Sequence, residues 1–136
     1  TSIRARARKD FKMWIATKNG YFSIVQKEYD PPGILTVRGR VKSDIDDLRQ
    51  RLKPQVGHLR IDDAADYKYR FVAGHKAIAR IISADIMALN YDNFKSRIYQ
   101  DSPARAKIYG ECWYALAELS QLDEPEISTA EALTIF

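Results

Sequence analysis

Alternating apolar and polar positions in the first half of the chain predict β-strands. Residues 14–18 and 21–25 alternate in this way on either side of Asn19-Gly20, a dipeptide that favours the two positive φ values of a type I′ turn. In the register that this turn imposes, Ile15 faces Ile24 across the pair. The pattern therefore predicts a β-hairpin at the start of the fold.

The next alternating segment, residues 34–42, predicts a third strand with a basic polar face. The cations on that face are Arg38, Arg40 and Lys42. Ser43 follows in the position of a helix N-cap, and apolar residues then recur at helical spacing as far as Leu52. Because Pro54 cannot continue a helix, the pattern predicts a short helix that ends before it.

Two further strands are predicted at residues 56–61 and 67–72. The second of them concentrates aromatic and charged side chains, and strict alternation separates the two kinds onto opposite faces. The aromatic set is Tyr67, Tyr69 and Phe71, and the basic set is Lys68 and Arg70.

From residue 75 onward the apolar spacing becomes helical. Helices are predicted at residues 75–89, at residues 92–100 and from Pro103 onward, where Ser102-Pro103 is a typical helix start. The last helix carries a long apolar stripe that is expected to be buried, with the cysteine as a small core side chain. The residues of that stripe are Ile108, Cys112, Ala115, Leu116 and Leu119.

Strands early in the chain and helices late are typical of the α+β class. We predict an antiparallel sheet of about five strands that begins with the hairpin, contains one inserted short helix, and is packed by C-terminal helices. The length of 136 residues fits one domain, which we assign to residues 13–121. A basic arm at residues 1–12 and an acidic tail at residues 122–136 flank this domain.

Composition narrows the class of protein. The apolar fraction of 46% and the charged fraction of 29% are those of a globular chain. No apolar run reaches the roughly 18 residues of a membrane helix, so no membrane partner is expected. The single cysteine, Cys112, cannot form an internal disulfide, and a cytoplasmic protein is therefore the default expectation.

Positive charge is concentrated in the first half. Residues 1–60 carry 14 Lys and Arg against 6 acids, a net charge of +8, whereas residues 61–136 carry 8 against 12, a net charge of −4. A basic half is compatible with nucleic acid, an anionic nucleotide or an acidic protein as partner. The same cations could instead solvate the outer face of a sheet.

Asp85 is an ionisable residue within the apolar stripe of a predicted helix. At 100° per residue it falls between Ile78 and Ile81. A buried carboxylate must be paired, hydrogen-bonded or protonated. The first interpretation is a buried tether held by arginine, tyrosine or backbone donors, and the second is a catalytic or ligand-binding carboxylate.

Catalytic signatures are sparse. Asp66-Tyr67-Lys68 matches the acid-x-Lys pattern of metal-dependent nucleases, with Asp62 nearby, although turn chemistry alone would place acids there. His58 and His75 have no serine or cysteine at a known catalytic spacing. Neither a zinc-site spacing nor a glycine-rich phosphate motif occurs. The sequence therefore predicts no cofactor and no metal, and an enzyme is the less favoured interpretation.

A binding surface has better support in the residues. Cations on two strands, flanked by tyrosines, are suited to neutralise phosphates while aromatic rings stack on bases. The predicted phosphate contacts are Arg38, Arg40, Lys42, Lys68 and Arg70, and the predicted stacking residue is Tyr67. The alternative interpretation has tyrosines at the edge of the core and cations in solvent.

Five short motifs carry a resemblance to a known group of proteins. They are Met13-Trp14-Ile15, Gly20-Tyr21-Phe22-Ser23-Ile24-Val25, Val37-Arg38-Gly39-Arg40, Asp66-Tyr67-Lys68-Tyr69-Arg70 and Tyr91-Asp92-Asn93-Phe94-Lys95. From Met13 to about Trp113 the chain resembles a family of small, largely uncharacterised bacterial and phage proteins. The resemblance implies a compact prokaryotic or phage domain and carries over no catalytic residue.

The leading functional hypothesis is a non-enzymatic module that binds nucleic acid or a nucleotide through a basic sheet face. The first alternative is a protein-interaction or inhibitor module, of phage or host origin, that contacts a partner protein or a second copy of the chain through the Trp14 hairpin. The second alternative is a metal-dependent nuclease that uses Asp62, Asp66 and Lys68.

Overall fold

The computed structural model describes residues 12–123 and has an α+β fold. Five antiparallel strands form one sheet in the order β1-β2-β3-β5-β4. The strands are β1 (Lys12–Thr17), β2 (Gly20–Val25), β3 (Ile34–Gly39), β4 (Arg60–Ile61) and β5 (Tyr69–Gly74). The helices are α1 (Lys42–Leu52), α2 (His75–Met87), α3 (Phe94–Asp101) and α4 (Pro103–Leu116), followed by a 3-10 helix (Ala117–Asp123).

These elements confirm the predicted class, with the hairpin first and one short helix between the third and fourth strands. Most of the predicted basic arm and acidic tail lies outside the described residues. None of the helices within residues 12–123 is long and apolar enough to cross a lipid bilayer.

The β1–β2 hairpin forms, but its register differs by two residues from the predicted one. Ile15 pairs with Phe22, and the connecting residues are Lys18-Asn19. A type I′ turn needs positive φ at both central residues, whereas positive φ occurs only at glycines in the described part of the chain. Gly20 instead opens β2 with a φ of 148°, at a point where a Cβ would come within 2.6 Å of Asp44. Because the shift is two residues, every side chain keeps its predicted face.

The third strand is shorter than predicted. It ends at Gly39, and Lys42 is already the first residue of α1. The prediction that Lys42 extends the basic face of the strand is therefore wrong. Close packing by α1 explains the early end, because a Cβ on Gly39 would lie 2.7 Å from the side chain of Ile45. The N-cap residue is Val41 rather than Ser43, and it makes no side-chain cap hydrogen bond.

One apolar core joins a single face of the sheet to α1 and α2. We call this the core face and the opposite one the second face. The buried residues of the core are Phe22, Ile24, Val37, Ile45, Leu48, Leu52, Phe71, Ala73, Ala77 and Ile78. The apolar stripe predicted for α1 is confirmed. In α2, Ile78 is buried and Ile81 and Ile82 pack against the core, whereas Leu89 lies beyond the helix end and is exposed.

The chain divides into two compact units, the first ending at Asn90 and the second beginning at Tyr91. Within the second unit, α3 contacts α4, and the ring of Phe94 stacks on that of Tyr109 with centroids 6.0 Å apart. Ser102 caps α4 by accepting a hydrogen bond from the backbone N–H of Arg105 at 3.1 Å. This cap confirms the predicted helix start.

The buried stripe predicted for α4 is wrong. None of the residues of α4 is buried, and Cys112 is exposed rather than a core side chain. Apolar spacing indicates which face of a helix is available for packing, but burial also requires a surface of matching length. Within the second unit, α3 offers only 8 residues against the 14 of α4.

Candidate anion-binding site

The second face of the sheet carries side chains that align across all five strands. Cα pairing joins Trp14 to Ser23, Ser23 to Arg38, Arg38 to Arg70, and Arg70 to Arg60. Directly opposed residues of neighbouring strands project from the same face of a sheet. We call these five residues the cross-strand row. It has a tryptophan at the β1 end and three arginines on the adjacent strands β3, β5 and β4.

Tyr67 organises two cations of the second face. The guanidinium carbons of Arg38 and Arg40 lie 4.7 Å and 4.6 Å from the centroid of its ring. Nη2 of Arg70 donates a hydrogen bond to the backbone carbonyl oxygen of Tyr67 at 2.9 Å. We call Arg38, Arg40 and Arg70 the arginine cluster. Tyr67 is therefore the common contact of all three cations.

The position of Tyr67 departs from the predicted alternation. Tyr67 precedes β5, and its ring lies against Arg38 on the second face, whereas Phe71 belongs to the core. Its side chain is 5% exposed, and two guanidinium groups lie over its ring. Such a ring offers no open surface to a base, so the geometry supports a positioning role instead of base stacking.

The hydroxyl of Tyr67 is held in a polar network. Burial acts to raise the pKa of Tyr67, but hydrogen bonds with the side chains of Tyr21, Arg40 and Ser23 and the positive charge of Arg40 outweigh it. The pKa of Tyr67 is consequently lowered from its ordinary value of 10.0. Within this network, Arg40 is the group that contributes positive charge.

The arginine cluster is not neutralised by carboxylates within residues 12–123, where none of its members forms a salt bridge. Nη2 of Arg38 donates to Oγ of Ser23 at 2.6 Å. The Nε atoms of Arg38 and Arg70 are buried and have no hydrogen-bond partner. Two like charges that directly oppose each other across strands are destabilising, and a buried donor without an acceptor adds to that cost.

Lys27 extends the positive potential beyond the cluster. Its pKa is lowered from 10.5 by burial, and then by the positive charges of Arg38, Arg70 and Lys12, while Asp30 acts in the opposite direction. Asp30 is engaged elsewhere, since its Oδ2 accepts from Oγ1 of Thr36 and from the backbone N–H of Lys27, both at 2.9 Å. The cations therefore remain in excess on this part of the sheet.

The two predicted lysine contacts lie apart from the arginine cluster and have carboxylate partners. Nζ of Lys42 is 2.7 Å from Oδ2 of Asp46, one turn further along α1. Nζ of Lys68 is 2.9 Å from Oδ1 of Asp63, and this hydrogen bond, with the charge of Asp63, raises the pKa of Lys68. Of the predicted basic residues, the structure brings together only the three arginines.

The acids of the predicted nuclease motif accept hydrogen bonds from the backbone of their own loop. Oδ1 of Asp62 accepts from the backbone N–H of Ala64 at 3.0 Å, and Oδ1 of Asp66 accepts from the backbone N–H of Tyr67 at 2.8 Å. Among residues 12–123, no group of three or more His, Cys, Asp or Glu side chains is placed to hold a metal ion. These contacts are those of turn chemistry.

Asp85 links two helices of the first unit. It accepts hydrogen bonds from both terminal nitrogens of Arg51, with Nη1 at 3.3 Å from Oδ2. Its side chain is 22% exposed, so the carboxylate lies at the edge of the core instead of within it. The pair joins α2 to α1 beside a cavity of about 340 Å³ that both side chains help to line.

Sequence reasoning missed Arg60 and Lys27. Arg60 belongs to a strand of only two residues, and its alignment with Arg70 depends on a pairing register that alternation cannot supply. Lys27 lies between strands, where no periodicity assigns it a face. The only signal available was the excess of cations in the first 60 residues.

Comparison of the chain with protein-family models, curated proteins and solved structures gives no match. The resemblance to bacterial and phage proteins therefore stays a prediction. The functional argument rests on the geometry of the second face.

Proposed function

We propose that this chain is a non-enzymatic module that binds the phosphate groups of nucleic acid or a nucleotide through the arginine cluster. The observation that carries the proposal is the opposed pair of Arg38 and Arg70, two like charges with no carboxylate partner within the described residues. A bound anion would offset the repulsion between the two charges and accept hydrogen bonds from guanidinium N–H groups, since both side chains are only half-buried.

Phosphate fits this arrangement better than a carboxylate side chain would. A guanidinium group is planar, and its paired N–H donors match two oxygens of a carboxylate or a phosphate, but only the phosphate has further oxygens for a neighbouring arginine. Several arginines on one rigid sheet can engage several oxygens at once. Tyr67 and Ser23 already hold the guanidinium groups in place, which reduces the side-chain entropy lost on binding.

The test is fluorescence anisotropy with short generic DNA and RNA, titrated from low to physiological salt. The double variant Arg38→Gln/Arg40→Gln removes two cluster charges and retains polar side chains. We expect wild-type protein to bind with a steep salt dependence. In the variant, the slope of log K against log salt should fall by about 1.4 to 1.8, which corresponds to two lost phosphate contacts.

The matched control is Lys76→Gln/Arg80→Gln. Both residues are exposed on α2, which packs on the core face, and the substitution removes the same formal charge. Circular dichroism would establish that both variants are folded. Equal loss of binding in the two variants would show that only the net charge of the protein matters, which contradicts a specific site. Unchanged binding in a folded Arg38→Gln/Arg40→Gln protein would also refute the proposed site.

A further inference from the structure

The cross-strand row is long relative to a single phosphate group. It spans four interstrand spacings of about 4.8 Å, or about 19 Å from Trp14 to Arg60. Its three arginines alone occupy three neighbouring strands, about 10 Å across. A mononucleotide engages one end of such a row, whereas a chain with repeated phosphates can follow it.

The row is exposed at its two ends, Trp14 and Arg60, whereas Arg38 and Arg70 are half-buried and Ser23 is buried against Arg38. Small-molecule sites are concave and enclose most of their ligand. Two cavities of the first unit lie elsewhere: one is beside Arg51 and Asp85, and the other lies at the ends of β1 and β3 near His75. Neither cavity is lined by an arginine of the row. The location of the cations therefore favours a polymer over an enclosed small ligand.

Trp14 supplies the aromatic surface that Tyr67 does not. Its side chain is 60% exposed, against 5% for Tyr67, and it occupies the opposite end of the row from Arg60. Proteins that bind single strands combine a cationic track for the backbone with aromatic rings on which unpaired bases stack. A base inside a duplex is already stacked on both sides and presents no free face to a tryptophan.

We infer that the ligand is single-stranded nucleic acid, with its phosphates on Arg38, Arg70 and Arg60 and one base stacked on Trp14. This inference rests on the proposed function. It adds the class of ligand, the path of the nucleic acid across the sheet, and two contact residues outside the arginine cluster, Trp14 and Arg60. The interaction is sequence-tolerant, because every base has a face that can stack.

The first experiment uses tryptophan fluorescence in the full chain. The chain has two tryptophans, so Trp113→Phe leaves Trp14 as the sole indole reporter. A 12-nucleotide oligothymidylate should quench this emission at low salt. A blunt 12-base-pair duplex and thymidine diphosphate should leave it unchanged at the same phosphate concentration.

The second experiment measures affinity by anisotropy with the same oligothymidylate. Trp14→Ala should weaken binding by about 5- to 150-fold, the range for loss of one base–aromatic stack. Arg60→Gln should lower the salt slope by about 0.7, the value for one contact to a single strand. The matched control is Arg80→Gln on α2, which should leave the slope unchanged.

The outcomes separate this inference from the proposed function. Duplex binding as tight as single-strand binding, or thymidine diphosphate competing as well as the oligomer, would overturn the inference while the arginine cluster still binds phosphate. Normal affinity in folded Trp14→Ala would likewise overturn it. Absence of binding to every probe at low salt would overturn both proposals together.

Discussion

Tyr67 shows how one side chain can hold repelling cations together. Its ring contacts the guanidinium groups of Arg38 and Arg40, and its carbonyl oxygen accepts from Arg70. Cation–π attraction and these hydrogen bonds offset part of the repulsion among the three charges. The arrangement holds three positive charges in a fixed geometry.

The lowered pKa of Tyr67 predicts a pH dependence of stability. Because the folded pKa lies below the ordinary value of 10.0, the ionised hydroxyl is favoured in the folded state. This contribution is fully present above the unfolded pKa and is lost as pH falls through the folded pKa. Tyr67→Phe should cost about 1 kcal/mol at pH 8 through the lost hydrogen bonds. The free-energy gap to wild type should widen towards pH 10.5.

Urea denaturation at pH 8, 9 and 10.5 measures that gap. Tyr29→Phe is the control, because Tyr29 is 65% exposed and its substitution should give a small difference at every pH. A gap for Tyr67→Phe that narrows as pH rises would contradict the assigned network.

At the scale of elements, the hairpin is fixed by a contact from outside it. The backbone N–H of Tyr21 donates to Oδ2 of Asp44 at 3.2 Å, and Gly20 lies directly against the same side chain. Within the turn, Oγ1 of Thr17 accepts from the backbone N–H of Asn19 at 3.0 Å. The register of the first two strands therefore depends on α1.

Gly20→Ala tests this dependence. A Cβ would lie 2.6 Å from Cγ of Asp44, and the φ of 148° is unfavourable for any residue with a Cβ. We expect a loss of at least about 2 kcal/mol in the free energy of unfolding, from backbone strain and overpacking together. Thermal and urea denaturation followed by circular dichroism measure the change.

The same substitution at Gly110 should have the opposite sign. Gly110 lies within α4, and an added Cβ there meets no atom within 4 Å. Replacing a helical glycine with alanine gains about 1 kcal/mol of helix propensity. Destabilisation of similar size at both positions would show that close packing against Asp44 is not what requires glycine at position 20.

The sequence predicts elements better than it predicts their pairing. Alternation identifies the hairpin and the faces of its side chains, and helical spacing identifies the buried stripe of α1. The register of the hairpin depends on Asp44, which lies 23 residues beyond its partner Tyr21. The end of β3 depends on Ile45 packing against Gly39. Such contacts form only in the folded chain, so local patterns do not contain them.

The candidate site also depends on contacts that local sequence patterns do not contain. Arg38, Arg40 and Arg70 were predicted as cations of strand faces, and the structure places all three around one tyrosine. Their mutual position follows from pairing of β3 with β5. The alignment of Arg60 with Arg70 follows from pairing of β4 with β5. Residue type is readable from the sequence, whereas alignment across strands is a tertiary property.

At the scale of the whole molecule, the two faces of the sheet in the first unit carry different kinds of residue. The core face packs against α1 and α2, and the second face carries the cross-strand row. Because both faces belong to the same strands, unfolding of the sheet removes the row together with the core. A substitution in the core should therefore weaken binding only by unfolding the sheet, with no direct effect on the arginines.

Substitutions of Ile45 separate these two effects. Ile45 is fully buried, and we expect Ile45→Ala to cost about 2 to 5 kcal/mol, against about 0.5 to 1.5 kcal/mol for Ile45→Val. Ile61→Ala is the control, because Ile61 is 54% exposed and should change stability by less than about 0.5 kcal/mol. Urea midpoints measure these losses, and anisotropy with oligothymidylate measures binding in the same samples.

Because the row and the core lie on opposite faces, the affinity of the folded fraction should be the same in all three variants. Apparent binding should fall only in proportion to the fraction of unfolded protein. That fraction should be appreciable for Ile45→Ala, because natural domains are marginally stable and lose much of their stability with such a substitution. A weaker intrinsic affinity in folded Ile45→Val would place the binding surface on the core side of the sheet. Unchanged intrinsic affinity, combined with the loss expected in Arg38→Gln/Arg40→Gln, would locate binding on the second face.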